Sequence, residues 1–298
     1  MRMKIAVSGA SGLIGSALVP TLEASGHELV RLVRREPQGS AELGWDPAAG
    51  AIDAAGLAGV DAIVNLSGAT IGRRWTEARK REILESRVRA MSLLAKTAVE
   101  LDPRPSVIVS AGGIGIYGDR GDEILTEDST LGSGFLAEVA RAQEAAADPA
   151  REAGIRVVGL RQGIVLSRKG GALERMLTPF KLGLGGRVGG GKQWWSWVAL
   201  DDVLAAYRFV IEGDLAGPVN LTAPNPATSA QFTRALGRAL GRPTVFPLPG
   251  LVVKTLFGDM GEATLLEGQR ALPARLLEVG FEFTYGELGN GLQRALAD

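Results

Sequence analysis

The sequence predicts an α/β protein with a Rossmann-like doubly wound parallel sheet and a smaller, mostly helical C-terminal substrate domain. Apolar runs of strand length alternate with stretches of helical periodicity along most of the 298 residues, an alternation typical of parallel sheets. A glycine-rich turn joins the first of these runs to a helical pattern. The 41 glycines are about twice the ordinary share of roughly 7%, while the apolar content is normal, which indicates many tight loops rather than disorder.

The composition argues against several classes of function. Acidic and basic residues number 33 each, so no overall field attracts nucleic acid or an anionic membrane, and no apolar run is long enough to span a bilayer. Without cysteine and with one histidine, His27, the chain lacks disulfides, thiolate metal sites and histidine-dependent serine hydrolysis. Arg2 and Lys4 also precede an apolar stretch as in a secretory signal, but glycines interrupt that stretch. We expect a cytoplasmic monomer or homodimer that binds a small-molecule substrate and neither metal, nucleic acid nor membrane.

The glycine turn lies at residues 9–15. The apolar strand Lys4–Val7 leads into Gly9-x-x-Gly12-x-x-Gly15, and apolar residues then recur at helical spacing as far as Leu22. This predicts the start of a dinucleotide-binding domain, in which Gly9 permits the turn, Gly12 lets backbone N–H groups approach a pyrophosphate and Gly15 lets the helix lie close to the sheet. The predicted cofactor-binding residues of this segment are Gly9, Ser11, Gly12, Leu13, Ile14 and Gly15.

Two arginines follow the second predicted strand, Glu28–Val33. Arg34 and Arg35 stand where an acidic residue would bind the ribose 2′-hydroxyl of NAD. Guanidinium groups suit a 2′-phosphate instead, so the sequence favours NADP. The alternative is that both are solvated charges at the end of a strand.

Later strands bring further residues to the same crevice. The strand Ala62–Leu66 ends in Ser67-Gly68-Ala69, and the strand Ser106–Ser110 ends in Ala111. Because parallel strands end at one edge of a sheet, we expect cofactor contacts from these ends. The predicted residues are Leu66, Ser67, Gly68, Ala69, Ser110 and Ala111.

A basic helix is predicted from Thr76 to about Leu101. Its charges are typical of a solvated face, but Arg74 or Arg87 would also suit an anionic substrate or a cofactor phosphate. A further helix is predicted from Phe135 to about Ala153, and the strand Arg156–Leu160 follows it.

The second domain interleaves with the first. We assign residues 1–165 and 201–223 to the NADP-binding domain, because Val219–Leu221 is expected to return to the main sheet, and the rest of 166–298 to the substrate domain. Short helices are predicted at 251–257, 261–272 and 273–279, and the glycine-rich segment 183–191 is expected to be a mobile loop.

Several motifs resemble a known superfamily. A segment ending in Tyr117-Gly118, the triplet Thr126-Glu127-Asp128 and the triplet Asp201-Asp202-Val203 are similar to the extended short-chain dehydrogenase/reductases. Further motifs resemble an atypical subfamily with a small characteristic C-terminal domain, the "epimerase family" or nucleoside-diphosphate-sugar epimerase-like proteins. These motifs are Arg74-Trp75-Thr76, Lys80, Ser86-Arg87, Phe135-Leu136-Ala137-Glu138-Val139, Gly191-Lys192-Gln193-Trp194-Trp195-Ser196-Trp197 and Glu267-Gly268-Gln269-Arg270.

The resemblance implies a proton relay that this chain lacks. Members of the superfamily use a tyrosine and a lysine four residues later, on one helix face. Here the residues four after the three tyrosines are Gly121, Ile211 and Gly289. At the expected place the chain has either Leu136 with Ala140 or Phe135 with Val139, and glycines stand near the place of the usual serine.

Two hypotheses follow. The protein is an NADP-dependent oxidoreductase or epimerase-like enzyme acting on a small carbonyl or sugar-nucleotide substrate through other groups, or it is a non-catalytic NADP(H)-binding sensor or regulatory protein. For the enzyme, the predicted catalytic residues are Tyr117, Glu138, Lys192 and Ser110. The predicted substrate-binding residues are Arg74, Trp75, Tyr117, Trp194 and Trp195. We expect the tryptophan motif to be extended, with Trp195 facing away from Trp194 and Trp197.

Overall fold

The structure is a computed structural model that describes residues 2–297, so Met1 and Asp298, the outer ends of the two predicted domains, lie outside the described residues. In chain order the strands are β1 (Lys4–Ser8), β2 (Glu28–Val33), β3 (Glu42–Asp46), β4 (Ala51–Ile52), β5 (Ala62–Asn65), β6 (Val107–Gly113), β7 (Ile124–Leu125), β8 (Arg156–Gln162), β9 (Ile164–Leu166), β10 (Trp194–Trp195), β11 (Trp197–Ala199), β12 (Gly217–Leu221), β13 (Ala227–Thr228) and β14 (Arg270–Ala271).

The α-helices are α1 (Gly15–Ala24), α2 (Glu77–Glu100), α3 (Phe135–Ala145), α4 (Asp148–Glu152), α5 (Gly171–Lys181), α6 (Leu200–Glu212), α7 (Ser229–Leu240), α8 (Gly250–Gly261), α9 (Ala274–Glu278) and α10 (Leu288–Ala297). Short 3₁₀ turns lie at Ala55–Leu57 and Ile114–Tyr117, and a π-helical turn at Glu262–Leu266 follows α8. No helix within residues 2–297 is both long and apolar enough to cross a bilayer.

One eight-stranded sheet organises the molecule. Its order is β12-β8-β6-β5-β1-β2-β3-β4, with parallel pairing throughout except between β3 and β4. The central strands are buried on both faces, since one core packs β1 against α1 and α6 while a second core packs it against α2. Helices therefore cover both faces, and the predicted fold class is confirmed.

The C-terminal part has a core of its own. Trp197, Phe232, Leu236 and Leu292 are fully buried in it, together with residues of α5 and β9. The predicted strand at 219–221 returns to the main sheet as its edge strand β12, parallel to β8. The domain boundaries themselves stay a prediction.

Two local predictions were wrong. The helix expected from Phe135 to Ala153 is two helices, α3 and α4, and α4 starts around Pro149, whose ring lacks an N–H for a continuous helix. The helix expected at 261–272 ends early, because Arg270–Ala271 pairs with the distant strand β7. The segment 183–191 lies outside the helices and strands, as expected of a loop, and its Gly189 N–H donates to the Leu248 carbonyl at 2.9 Å. The mobility of this loop stays a prediction.

The tryptophans of the Gln193–Trp197 motif do not all face as expected. Trp195 and Trp197 are 4% and 0% exposed and belong to the same C-terminal core. Residues two apart in an extended segment lie on the same face, and Ser196 lies between these two tryptophans, where β10 pairs with β13 and β11 pairs with β9. The prediction that Trp195 faces away from Trp197 was therefore wrong.

Candidate functional site

The carboxyl ends of β1, β5 and β6 meet at one edge of the sheet. β1 lies between β2 and β5, so the chain reverses its direction of travel across the sheet at this point. In open α/β sheets such a reversal leaves a crevice that holds ligands. The predicted cofactor segments at residues 9–15, 66–69 and 110–111 all lie along this edge.

The glycine turn is sterically closed to side chains. Gly9 has φ +70°, and a Cβ on it would lie 2.8 Å from the carbonyl carbon and oxygen of Leu66. A Cβ on Gly15 would lie 2.3 Å from the carbonyl oxygen of Gly9, whereas one on Gly12 would lie 3.3 Å from the same oxygen. The Gly12 N–H donates to that oxygen at 3.0 Å. Gly15 therefore brings the start of α1 close to the turn itself, whereas the sequence predicted closeness to the sheet.

The segment after β5 is fixed by buried polar side chains. Asn65 is fully buried, and its Oδ1 accepts from the Ser8 hydroxyl at 2.8 Å and from the Ser67 N–H at 3.1 Å. The Ala69 N–H donates to the Ser86 hydroxyl of α2 at 3.0 Å. The strand end is thus tied to β1 and to α2, which holds its backbone beside the glycine turn.

Arg87 reaches the same segment from α2. Its guanidinium donates to the carbonyl oxygens of Ala69 at 2.9 Å and Ile83 at 3.1 Å, and a Cβ on Gly68 would lie 2.9 Å from its Cζ. Burial and the charge of Arg79 lower the pKa of Arg87. No carboxylate among the described residues pairs with it. This half-buried cation next to the crevice suits a phosphate.

The two arginines after β2 are not equivalent. Arg35 forms a bidentate ion pair with Glu42 of β3, at 2.6 and 2.8 Å, and Glu42 also accepts from the Gln38 N–H at 2.7 Å. This pairing raises the pKa of Arg35 and lowers that of Glu42. Arg34 is exposed and has no hydrogen bond or ion pair with any described residue. Arg34 is therefore the better placed of the two to meet a 2′-phosphate.

Ser110 is held by a residue that sequence reasoning missed. Its hydroxyl accepts from the Gln143 side-chain amide of α3 at 3.0 Å, and the same amide donates to the Ala111 carbonyl at 2.8 Å. Both side chains are buried. Gln143 orients the end of β6, and no motif in the sequence distinguishes it from other helix residues.

Tyr117 does not face the crevice. It is fully buried, and its hydroxyl donates to Asn220 Oδ1 at 2.7 Å and accepts from Arg161 at 2.9 Å. Arg161 in turn is bidentate to Glu144 at 2.8 and 2.9 Å. Burial raises the pKa of Tyr117. The prediction that Tyr117 handles a substrate proton does not fit this interior position, since its hydroxyl already donates to Asn220 and accepts from Arg161.

A cavity of about 290 Å³ lies between the sheet domain and the C-terminal segment. Both alternatives for the missing relay tyrosine, Phe135 and Leu136, line it, as does Trp75 from the start of α2. Trp75 and Phe135 meet edge to face with centroids 4.9 Å apart. Residues from four of the motifs that resemble the subfamily therefore converge here: Trp75, Lys80, the pair Phe135 and Leu136, and the pair Glu267 and Gln269. The remaining lining residues are Lys80, Gly115, Gly118, Ser133, Gly134, Asp259, Glu262, Ala263, Glu267 and Gln269.

The ionisable groups of the cavity are paired, with one exception. Lys80 Nζ contacts Asp259 at 2.7 Å and Glu77 at 3.2 Å, which raises the pKa of Lys80. Glu262 pairs with Lys254 at 2.5 Å. The Glu267 carboxylate has no hydrogen bond or ion pair with a described residue. Burial, and then the charges of Asp119 and Glu262, raise the pKa of Glu267.

The other predicted site residues lie elsewhere. Glu138 and Lys192 are exposed and do not line the cavity. Arg74 is exposed and donates to the Leu256 carbonyl at 3.5 Å, so it joins α2 to α8. The Trp194 indole N–H donates to Asp122 at 2.7 Å beneath the guanidinium of Arg270, and Trp195 packs against Phe232.

Trp195 therefore packs in the C-terminal core, whereas Trp194 lies between Asp122 and Arg270. Of the predicted substrate-binding residues, Trp75 alone lines the cavity. No group of three or more histidine or acidic side chains suited to a metal ion occurs in residues 2–297.

The fold, the glycine turn and the cavity define a class of protein: a dinucleotide-binding α/β fold followed by a C-terminal part with a core of its own. Comparison with known proteins makes this specific. Residues 5–221 match the NAD dependent epimerase/dehydratase family, and residues 248–295 match a domain of unknown function, DUF1731. The chain belongs to the NAD dependent epimerase/dehydratase family, and the predicted resemblance is confirmed.

Similar proteins extend over nearly the whole chain. An epimerase family protein of Mycobacterium tuberculosis is 43% identical over 290 residues, 97% of this chain and 96% of that protein. The crystal structure of human epimerase family protein SDR39U1 with NADPH has a TM-score of 0.90 at 36% identity and covers 99% of this chain and 100% of that one. The nucleoside-diphosphate sugar epimerase of Corynebacterium glutamicum has a TM-score of 0.83 at 36% identity, but this chain spans 58% of its length.

Proposed function

We propose that this protein is an NADP-dependent oxidoreductase or epimerase-like enzyme that acts on a small carbonyl substrate without a Tyr-x-x-x-Lys relay. A sugar nucleotide is the other substrate class that the sequence leaves open. The observation that carries the proposal is the cavity, because Phe135 and Leu136, the positions of the missing relay, line it. A ligand there would be enclosed between the sheet domain and the C-terminal segment.

The residues of the crevice suit NADP(H). The glycine turn leaves room for a backbone approach, and α1 has no side-chain cap among the described residues, so no capping side chain competes with a phosphate at its N-terminus. Arg34 would bind the 2′-phosphate, and Arg87 would bind a further phosphate or ribose oxygen. When bound, the nicotinamide supplies or accepts a hydride. The human relative crystallised with NADPH supports this choice of cofactor.

The chain's own contribution to chemistry lies in the cavity. Phe135, Leu136 and Trp75 present apolar surface that excludes water from a substrate. Ser110 and Tyr117 are tied to Gln143, Arg161 and Asn220, away from such a substrate. Proton transfer at the substrate therefore falls to groups that line the cavity: Lys80, Ser133, Asp259, Glu262 and Glu267.

The cofactor is tested by titrating the purified protein with NADPH and with NADH while following nicotinamide fluorescence. We expect tighter binding of NADPH. Arg34→Ala removes a charge-assisted hydrogen bond of about 1.5–3 kcal/mol, which corresponds to a roughly 10- to 150-fold loss of NADPH affinity with little change for NADH. Arg35→Ala is expected to lose less, because Arg35 is already bound to Glu42.

Arg2→Ala is the matched control, since Arg2 is an exposed arginine near the opposite end of β1, 3.5 Å from Glu28. It should bind both nucleotides as the unmodified protein does. Equal affinity for NADH and NADPH would contradict the assignment of NADP, and failure of both to bind would contradict a working crevice.

A second function is favoured by one observation: the relay positions are apolar and the nearby hydroxyls are hydrogen-bonded within the fold. The protein would then be a non-catalytic NADP(H)-binding sensor. Bound NADPH that no panel of carbonyl compounds or nucleotide sugars oxidises would support the sensor, and turnover with any of them would support the enzyme.

A further inference from the structure

We propose that the cavity between the two domains takes a substrate with a cationic ammonium group on a small organic body, rather than a nucleoside diphosphate. The inference rests on the proposed function in one respect, because it takes the cavity as the substrate site. The charges and the aromatic wall of the cavity favour a small organic substrate over a sugar nucleotide.

The charges of the cavity are mostly acidic. Its lining includes one cation, Lys80, and three carboxylates, Asp259, Glu262 and Glu267. Lys80 is already engaged by Asp259 at 2.7 Å and by Glu77 at 3.2 Å. None of the described residues that line the cavity is an arginine. A diphosphate would therefore find no guanidinium to bind it and would meet a surplus of negative charge.

Glu267 is the group that a cation would meet. It is half-buried, and no described residue bonds its carboxylate. Asp119 lies on the same side, because its Oδ1 accepts from the Gly268 N–H at 3.4 Å. Glu262, the next carboxylate, has Lys254 at 2.5 Å as its partner. The charge of Lys254 also acts on Glu267, but its ammonium group is ion-paired with Glu262 and makes no ion pair with Glu267. A half-buried carboxylate without a direct ion pair attracts an ammonium group more strongly than an exposed one, since less water screens it.

The aromatic wall adds a second attraction for a cation. Trp75 and Phe135 stand edge to face, with an interplanar angle of 68°. The Trp75 indole N–H is used by the Ile71 carbonyl at 2.9 Å, so the tryptophan offers ring surface and not a donor. Lys80 Nζ already lies 6.0 Å from the Phe135 centroid. An ammonium near these rings gains a cation–π interaction, and a volume of about 290 Å³ suits a small molecule.

The test uses four probes on the full chain, with and without saturating NADPH, by ligand-observed NMR. Benzylamine, benzyl alcohol and benzoate share a ring and differ in charge, and UDP-glucose represents the nucleoside diphosphates. We expect benzylamine to bind about tenfold more tightly than benzyl alcohol, and benzoate and UDP-glucose to bind more weakly than either. Glu267→Gln should abolish the advantage of the amine.

Glu100→Gln is the matched control, because Glu100 is an exposed carboxylate at the end of α2 that does not line the cavity. It should retain the full advantage of the amine. Equal binding of amine and alcohol, an advantage that survives Glu267→Gln, or preferential binding of UDP-glucose would each overturn this proposal. Because the probes are also titrated without cofactor, loss of NADPH binding would count against the proposed function alone.

Discussion

Gly15→Ala tests whether the glycine turn is a working part of the site. Gly15 is the first residue of α1, and a Cβ there would lie 2.3 Å from the Gly9 carbonyl oxygen and 2.7 Å from the Ala10 Cα. Ordinary contact begins near 3.4 Å, so the first distance is about 1 Å too short. Both neighbours are backbone atoms, which no rotamer change relieves. The turn itself has to move away from the helix.

Overpacking of this kind costs about 1–3 kcal/mol, and alanine returns up to about 1 kcal/mol through its better helix propensity. We therefore expect a net loss of about 1–2 kcal/mol in the free energy of unfolding. The effect on NADPH should be larger, because the displaced segment is the one whose N–H groups would approach the phosphates. An affinity loss of more than about tenfold is expected, equivalent to over 1.4 kcal/mol.

Urea unfolding and NADPH fluorescence titration measure the two effects. Gly12→Ala is the graded comparison, since its Cβ would lie 3.3 Å from the same oxygen, and it should be affected less. Gly289→Ala is the control, because an exposed helix glycine with no atom within 4 Å of its Cβ should gain stability and keep NADPH binding. If Gly15→Ala matches Gly289→Ala in both measurements, the steric argument is refuted.

Three further outcomes are expected. Tyr117→Phe should lower the free energy of unfolding by about 1–3 kcal/mol in urea denaturation, because buried Asn220 loses a hydrogen bond, and NADPH affinity should not change. A loss of activity without a loss of stability would contradict the interior role of Tyr117. Trp195→Ala should cost about 3–5 kcal/mol as a core truncation. Trp194→Ala should cost clearly less, and the reverse order would refute the packing assignment. Glu267 has a raised folded pKa, so its stability contribution falls as pH rises through that value. Glu267→Gln should therefore gain stability relative to the unmodified protein from pH 4 to pH 7, and a constant difference would contradict the raised pKa.

Motifs and spacing predicted the sheet domain well. The strand Glu28–Val33 was predicted with the bounds that the structure has, and β1 and α2 to within one residue, because each is a local pattern with clear end signals. Helix and strand assignments failed where a distant partner or a proline decided the conformation. Arg270–Ala271 is a strand because β7 pairs with it, and no local pattern at 261–272 contains that information.

Several predictions of individual site residues do not agree with where the structure places the side chains. Tyr117, named for its type and its place after β6, points inward because Asn220 and Arg161 offer its hydroxyl two buried partners. Trp194 and Trp195 were predicted as ligand contacts, but Trp195 packs in the C-terminal core and Trp194 bonds to Asp122, so neither lines the cavity. Hydrophobic and aromatic side chains serve cores and ligand sites equally well, so residue type alone does not separate the two uses.

The sequence by itself determined the fold class, the glycine turn and the absence of a Tyr-x-x-x-Lys pair, and it predicted NADP as the cofactor. These follow from short-range spacing, which one stretch of chain contains. The tertiary structure alone decided that Arg35 is bound to Glu42, that Phe135 faces a cavity with Trp75, and that Glu267 lies there without a partner. The physical reason is that a site forms where distant segments of the chain pack together. Which charges stay unpaired there, and how large a cavity remains, depends on the whole fold.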